Sequence, residues 1–322
     1  MNLDLSIDDG ADTDRHCQNA GDDQKTLSKH HVLLLNMNST VLSPSTQAVI
    51  ENYLHLPFPE RDISCPEFVN RRQRVRGSLR ALVGKGSPDD IVEETAIIAL
   101  KEKIDLKSLD NEKLKQFLVD HHIGLDCSAL VYYDLDAESQ EKKIGPLKKQ
   151  LKFPYAKTWL RKLITLLRPV ENADVQTFAH EKNSVEVRLN DVQAGDMIIM
   201  LGTGPTHDRD HVLLIHEVRP PLAPPSKGGD NNLASPYEGE GRVGSTIHYT
   251  HSLRWSTDGK YNHGVRQGQI TIVDPNKSLV EQAWLENGQT KEANETWQRA
   301  KSAESLSIRR LRCFASASIS SI

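Results

Sequence analysis

A thiol becomes a nucleophile near neutral pH when its surroundings favour the thiolate and an imidazole within reach can take and return the proton. Cys127 stands where the first condition can be met. In Gly124-Leu125-Asp126-Cys127-Ser128, a glycine able to adopt positive φ closes one helix, an aspartate able to cap the next follows, and the cysteine falls in the first turn. The partial positive charge of that helix start lowers a thiol pKa. For the second condition, His211 opens the apolar run His211-Val212-Leu213-Leu214-Ile215, and His248 lies in Thr246-Ile247-His248-Tyr249. A cysteine hydrolase needs these three parts: a nucleophile at a helix start, a base on a facing strand and a polar group that orients the base. His207, His216, His251 and His263 offer the same imidazole chemistry, and an isolated Asp-Cys-Ser reads first as a buried structural cysteine.

The elements that must position these residues change character along the chain. Residues 1–29 are rich in Asp, Asn, Gln and Ser and lack periodic apolar positions, so they are expected to be disordered. Residues 30–106 read as a helical extension. Ser45-Thr46-Gln47 opens a segment through Leu54, Cys65-Pro66 starts a second helix, and Ser87-Pro88-Asp89-Asp90 joins an N-cap, a first-turn proline and two acids. Arg71, Arg72, Arg74, Arg76 and Arg80 on the second of these helices are read as a solvated face. Residues 107–322 form the candidate catalytic domain. A helix from about Leu109 to His122 leads to Cys127, residues 139–152 make a lysine-rich connection, and a helix from Pro154 to Leu167 follows. The period then shifts to that of strands at Val185–Leu189, Met197–Leu201, His211–Val218, Thr246–His251, Gln269–Val273 and Ser307–Arg312. Helices first and antiparallel strands afterwards predict an α+β fold with five to six strands. The Pro- and Gly-rich segment 220–244 is a low-complexity loop insert between two strands. Trp255 and Trp284 are expected in the core.

Four motifs occur in a fixed order: Asp126-Cys127-Ser128, then Asn190-Asp191-Val192-Gln193-Ala194-Gly195-Asp196-Met197-Ile198, then Asp210-His211-Val212, then Ile247-His248. This order resembles the NlpC-type cell-wall peptidases, which are papain-like cysteine peptidases. Their pattern has Asp-Cys-Ser-Gly-Phe, Pro-Gly-Asp before an apolar strand, His-Val, and a final Ile-His-Ala. The resemblance covers roughly Gly124 to Val273. It implies a papain-like fold with Cys127 as nucleophile, His211 as base and His248 as orienting residue, acting on a peptide amide of the cell-wall stem-peptide class. Alternation along the strand then turns His248 and Thr250 to one face and Tyr249 and His251 to the other. The chain departs from the pattern at Ala129-Leu130 and Ala194, and His121 and His122 stand where a tyrosine is usual. Those departures keep two further readings open: a catalytically inactive binding module of the same fold, and an intracellular amidase or acyltransferase.

Composition narrows the partners. The 322 residues are 37% hydrophobic and 26% charged with a net charge of -4, ordinary for a soluble domain, and no nucleic-acid or anionic-membrane partner is expected from that balance, although a local basic face is compatible with it. Cys17, Cys65, Cys127 and Cys313 form no CxxC pair and no His-spaced cluster, so neither a metal, a cofactor nor a disulfide framework is expected. No transmembrane run and no secretory signal are visible. The sequence therefore reads as cytoplasmic, while the resemblance implies the cell envelope.

Overall fold

Side-chain caps decide where the helices begin. Ser43 accepts from the Thr46 N–H ahead of Pro44–Leu54 (α1), and Ser87 and Asp90 form a reciprocal capping box ahead of Pro88–Glu102 (α2). Asp110 caps Asn111–Asp120 (α3), and Asp126 caps Cys127–Glu141 (α4) by accepting from the Ala129 N–H at 2.7 Å. Four short helices follow: Leu147–Gln150 (α5), Trp159–Leu167 (α6), Pro169–Asn172 (α7) and Val175–Ala179 (α8). Glu295–Ser302 (α9) and Arg312–Ala317 (α10) come late in the chain. The computed structural model describes residues 40–68, 80–221 and 244–317, and these fall within one compact unit, Ser39–Ile322. Among them no helix is long and apolar enough to cross a membrane.

The strands are Thr40–Val41 (β1), Ser184–Glu186 (β2), Met197–Thr203 (β3), Arg209–Arg219 (β4), Thr246–Leu253 (β5), Gly264–Thr271 (β6), Ala283–Glu286 (β7), Gln289–Thr290 (β8) and Ser305–Leu311 (β9). They form an antiparallel sheet in the order β2-β9-β3-β4-β5-β6-β7-β8, with β1 added to β4. β3 and β4 are apolar almost throughout because both sides of the sheet are covered. Met197, Ile199, Val212 and Leu214 join Ala129, Leu130 and Leu135 of α4 in one apolar cluster; Ile198, Met200, Leu213 and Ile215 join Tyr249, Trp284 and Trp297 in the other. α4 packs on α1, β4 and β5.

The α+β reading holds, and the sheet is larger than the five to six strands expected: nine among the described residues. β1, β7 and β8 are two to four residues long, too short to show a period. The boundary expected at 106/107 does not divide the described chain. Leu42, Ile50 and Tyr53 pack in the same cluster as α4, and β1 pairs with β4. Cys65-Pro66 starts no helix; Glu67 instead bridges Leu125, with Leu125 N–H on the Pro66 carbonyl and Phe68 N–H on the Leu125 carbonyl. The lysine-rich connection contains α5, and the helix expected from Pro154 begins at Trp159, where Thr158 caps it. Trp284 is core, as expected, while Trp255 is buried and also lines a groove. The acidic amino terminus with Cys17, most of the arginine-rich segment expected to be helical and the Pro- and Gly-rich insert lie outside the described residues.

Candidate functional site

Cys127 is the first residue of α4, and its surroundings are fixed by the loop before it. Gly124 does not take the positive φ anticipated for it. His122 ends α3 in the left-handed region with φ 59°, and Gly124 serves close approach, since a Cβ there would lie 2.5 Å from the Pro66 carbonyl oxygen. The Asp126 N–H reaches the Gly84 carbonyl, and Ser252 Oγ on β5 donates to the Leu125 carbonyl at 2.7 Å. The Asp126 carboxylate accepts from Lys85 Nζ and Ser128 Oγ; Nζ also reaches Ser128 Oγ at 2.7 Å and the Ala173 carbonyl at 3.0 Å. Lys85 and Asp126 are both largely shielded from solvent, with 10% and 15% of their side chains exposed, so the ammonium balances the carboxylate that starts the helix.

Burial, and then the neighbouring Asp126 carboxylate, push the Cys127 thiol up to about 12, against a hydrogen bond from the Val212 N–H and the charge of Lys85. The helix start therefore does not produce a standing thiolate. A dipole effect of about 1 kcal/mol is smaller than the cost of burying a charge. Cys127 and His211 line one groove, where the sulfur meets β4 at Val212, one residue beyond His211.

His211 is directed by a chain of buried groups. Its Nε2 lies 2.8 Å from His251 Nδ1, and His251 Nε2 lies 3.2 Å from Glu286 Oε2. Tyr249 Oη donates to the same carboxylate oxygen at 2.8 Å. Burial would raise the Glu286 carboxyl, but the charge and hydrogen bond of His251, the Tyr249 hydroxyl and Arg266 together hold it below its ordinary value. An ionised carboxylate only accepts, so the His251 Nε2 that faces it carries a proton, and a single further proton lies between His251 Nδ1 and His211 Nε2. With that proton on His211 Nε2, the other ring nitrogen, Nδ1, keeps its lone pair. Burial, then His251, lower His211 well below ordinary imidazole, keeping it neutral at pH 7.

The structure corrects the assignment of His248. That residue pairs with Glu217 across β4–β5 and lies near His216, at 6.1 Å between ring centroids. His251 contacts His211 instead. The two histidines are three positions apart, so they face opposite sides of the strand. Leu214 opposite Thr250 and Ile215 opposite Tyr249 set the register, before a bulge at His216 shifts it. The legible signal was the neighbouring residue: Ser252 after His251 matches the small residue of the Ile-His-Ala pattern, whereas Tyr249 follows His248.

Glu286 carried no local signal. It reaches His251 through the register of three strands, Tyr249 opposite Gly268 and Gly268 opposite Glu286. Gly268 makes the contact possible, since a Cβ there would lie 2.3 Å from Tyr249 Oη. The groove measures about 1030 Å³, and Arg209, Arg254 and Arg299 share its wall with Glu67, Asp208 and Glu295. His122 also lines it, with its ring 5.5 Å from that of Phe68. Among the described residues no group of three or more His, Cys, Asp or Glu is arranged to hold a metal ion. Comparison with protein-family models, curated proteins and solved structures finds no match.

Two other histidines set an acid limit on stability. Burial, then His248, lowers His216 from 6.5 to about 4, and burial, then Arg254, lowers His263 to about 4. Each binds fewer protons folded than unfolded between those values, so their stabilisation is complete above about pH 6.5 and is lost as pH falls toward 4. For His216 this is on the order of 3 kcal/mol. The melting temperature is expected to fall steeply between pH 6.5 and 4, and His216→Asn should flatten that slope. A melting temperature constant over that range would contradict the assignment.

Proposed function

We propose that this chain is a papain-like cysteine hydrolase that cleaves an amide in a peptide, with Cys127 as nucleophile, His211 as base and His251 and Glu286 as positioning residues. The observation that carries the reading is the buried line His211–His251–Glu286, whose first imidazole lines the same groove as Cys127. His211 Nδ1 takes the thiol proton as sulfur attacks the carbonyl carbon. The developing oxyanion meets the free N–H groups at the start of α4, that of Cys127 among them. The imidazolium then protonates the leaving amine, the C–N bond breaks, and a thioester remains on Cys127. Water, deprotonated by His211, releases the acid and restores the thiol.

A wall that carries guanidinium and carboxylate groups together suits a peptide bearing both charges. This favours a peptide over a lipid amide, and the stem peptides of the bacterial cell wall are the substrate class that the resemblance supplies. Incubating the full chain with purified stem peptides is expected to release new amino groups, and the Cys127→Ser variant is expected to release none. Equal release by both would overturn the reading.

A second reading, a binding module without chemistry, draws on one observation: His121 and His122 stand where the peptidase pattern has a tyrosine. It predicts retention of stem peptide with no new amino groups and no His211-dependent reactivity of Cys127.

A further inference from the structure

The apolar stripe of α6 faces outward. Trp159, Leu160, Leu163, Leu166 and Leu167 are 77%, 52%, 43%, 62% and 67% exposed, and their spacing gathers them on one side of the helix. Thr165 is the buried residue of this helix, and Ile164 is half-buried. Tyr155, just before it, is 60% exposed. Isolated exposed leucines are ordinary, but a contiguous stripe of five large apolar side chains marks a surface that something covers.

The charge around the stripe indicates what covers it. Residues 142–170 contain nine Lys and Arg and no Asp or Glu, in a chain whose net charge is -4. Lys142 pairs with Glu138 and Arg168 with Glu171. Lys148, Lys149, Lys152, Lys157, Arg161 and Lys162 are exposed, and among the described residues none of the six lies within ion-pair distance of a carboxylate. A second copy of the chain would bring the same cations face to face, which opposes a symmetric dimer through this surface. A helix of nine residues spans about 14 Å and cannot cross a bilayer. Leucines with a tryptophan and a tyrosine in a basic surround are the composition of a helix lying in the headgroup region of an anionic membrane.

We propose that α6 docks this protein on an anionic bilayer surface, its leucines and Trp159 entering the headgroup boundary and the lysines of residues 148–162 facing the lipid phosphates. The net charge of the whole chain concealed this because the cations are concentrated in one segment. The inference does not depend on the catalytic reading.

The test is co-sedimentation of the full chain with phosphatidylcholine vesicles, with and without phosphatidylglycerol. Binding is expected with the anionic vesicles, weakening as salt is raised, with a blue shift of tryptophan emission that Trp159→Phe removes. The double variant Leu163→Glu and Leu167→Glu alters exposed positions, so it should melt as the wild type does while binding at least about tenfold more weakly. Lys148→Glu with Lys149→Glu should reduce the preference for the anionic lipid. The proposal is overturned if neither vesicle binds, if the leucine variant binds as the wild type does, if binding ignores salt and lipid charge, or if Leu163→Glu instead dissolves a dimer.

Discussion

Cys127→Ala is expected to abolish reaction with a thiol-directed acyl probe, and His211→Ala to slow it by about two orders of magnitude or more, whereas Cys65→Ala and Cys313→Ala leave it unchanged. The basis is that no described cysteine is a standing thiolate. Burial pushes Cys65 and Cys127 alike up to about 12 and raises Cys313. On the proposed mechanism reactivity comes from proton transfer during attack, and Cys127 is the thiol that shares a groove with the neutral imidazole of His211. The pH dependence separates this from a preformed thiolate–imidazolium pair. A base held well below ordinary imidazole stays unprotonated across the neutral range, so the labelling rate should be nearly flat from about pH 6 to pH 9, with its acid limb below that range. A rate that climbs tenfold per pH unit from pH 6 to pH 9 and survives His211→Ala would show a thiol ionising unaided, and the role given to His211 would fall.

The features legible in the sequence are those that act within a few residues. Asp126 and Ser87 mark their helix starts because a capping side chain reaches backbone only two or three positions ahead, although α1 begins at its Ser43 cap, two residues before the Ser45 start expected. The runs at Met197 and His211 could be read because strands covered on both faces are apolar without interruption. Glu286 could not, since a single carboxylate at the end of a four-residue strand becomes a partner of His251 only after β5, β6 and β7 have paired. The stripe on α6 failed in another way. Periodicity states which side chains share a face and is silent on whether the face is covered. The thiol is a third case: the helix dipole is local and legible, but the burial that outweighs it arises only when distant parts of the chain close around the sulfur.

The choice between two histidines three positions apart gives the sharpest test of the site. His251→Ala is expected to lower turnover by about two to three orders of magnitude, and His248→Ala by less than about twofold. The difference follows from what each ring touches. His248 lies on the opposite side of β5 near His216, whereas His251 is fully buried between His211 and Glu286. Without the His251 ring, His211 Nε2 loses the partner that holds it, so the imidazole is free to keep its proton on Nδ1, where it could not act as the base proposed for Cys127. The alanine variant also leaves the Glu286 carboxylate short of a donor in a dry site and should melt several degrees lower, so loss of activity alone is ambiguous. His251→Asn resolves this. Its amide oxygen can accept from His211 Nε2–H while its amide nitrogen donates toward Glu286, which preserves the polarity of the line. Recovery of a substantial part of the turnover in His251→Asn, with the pH profile of the wild type, is the expected result. An asparagine variant that regains the melting temperature but none of the turnover would mean that the line of buried groups only holds the sheet together, and that the orienting residue must be sought elsewhere in the groove.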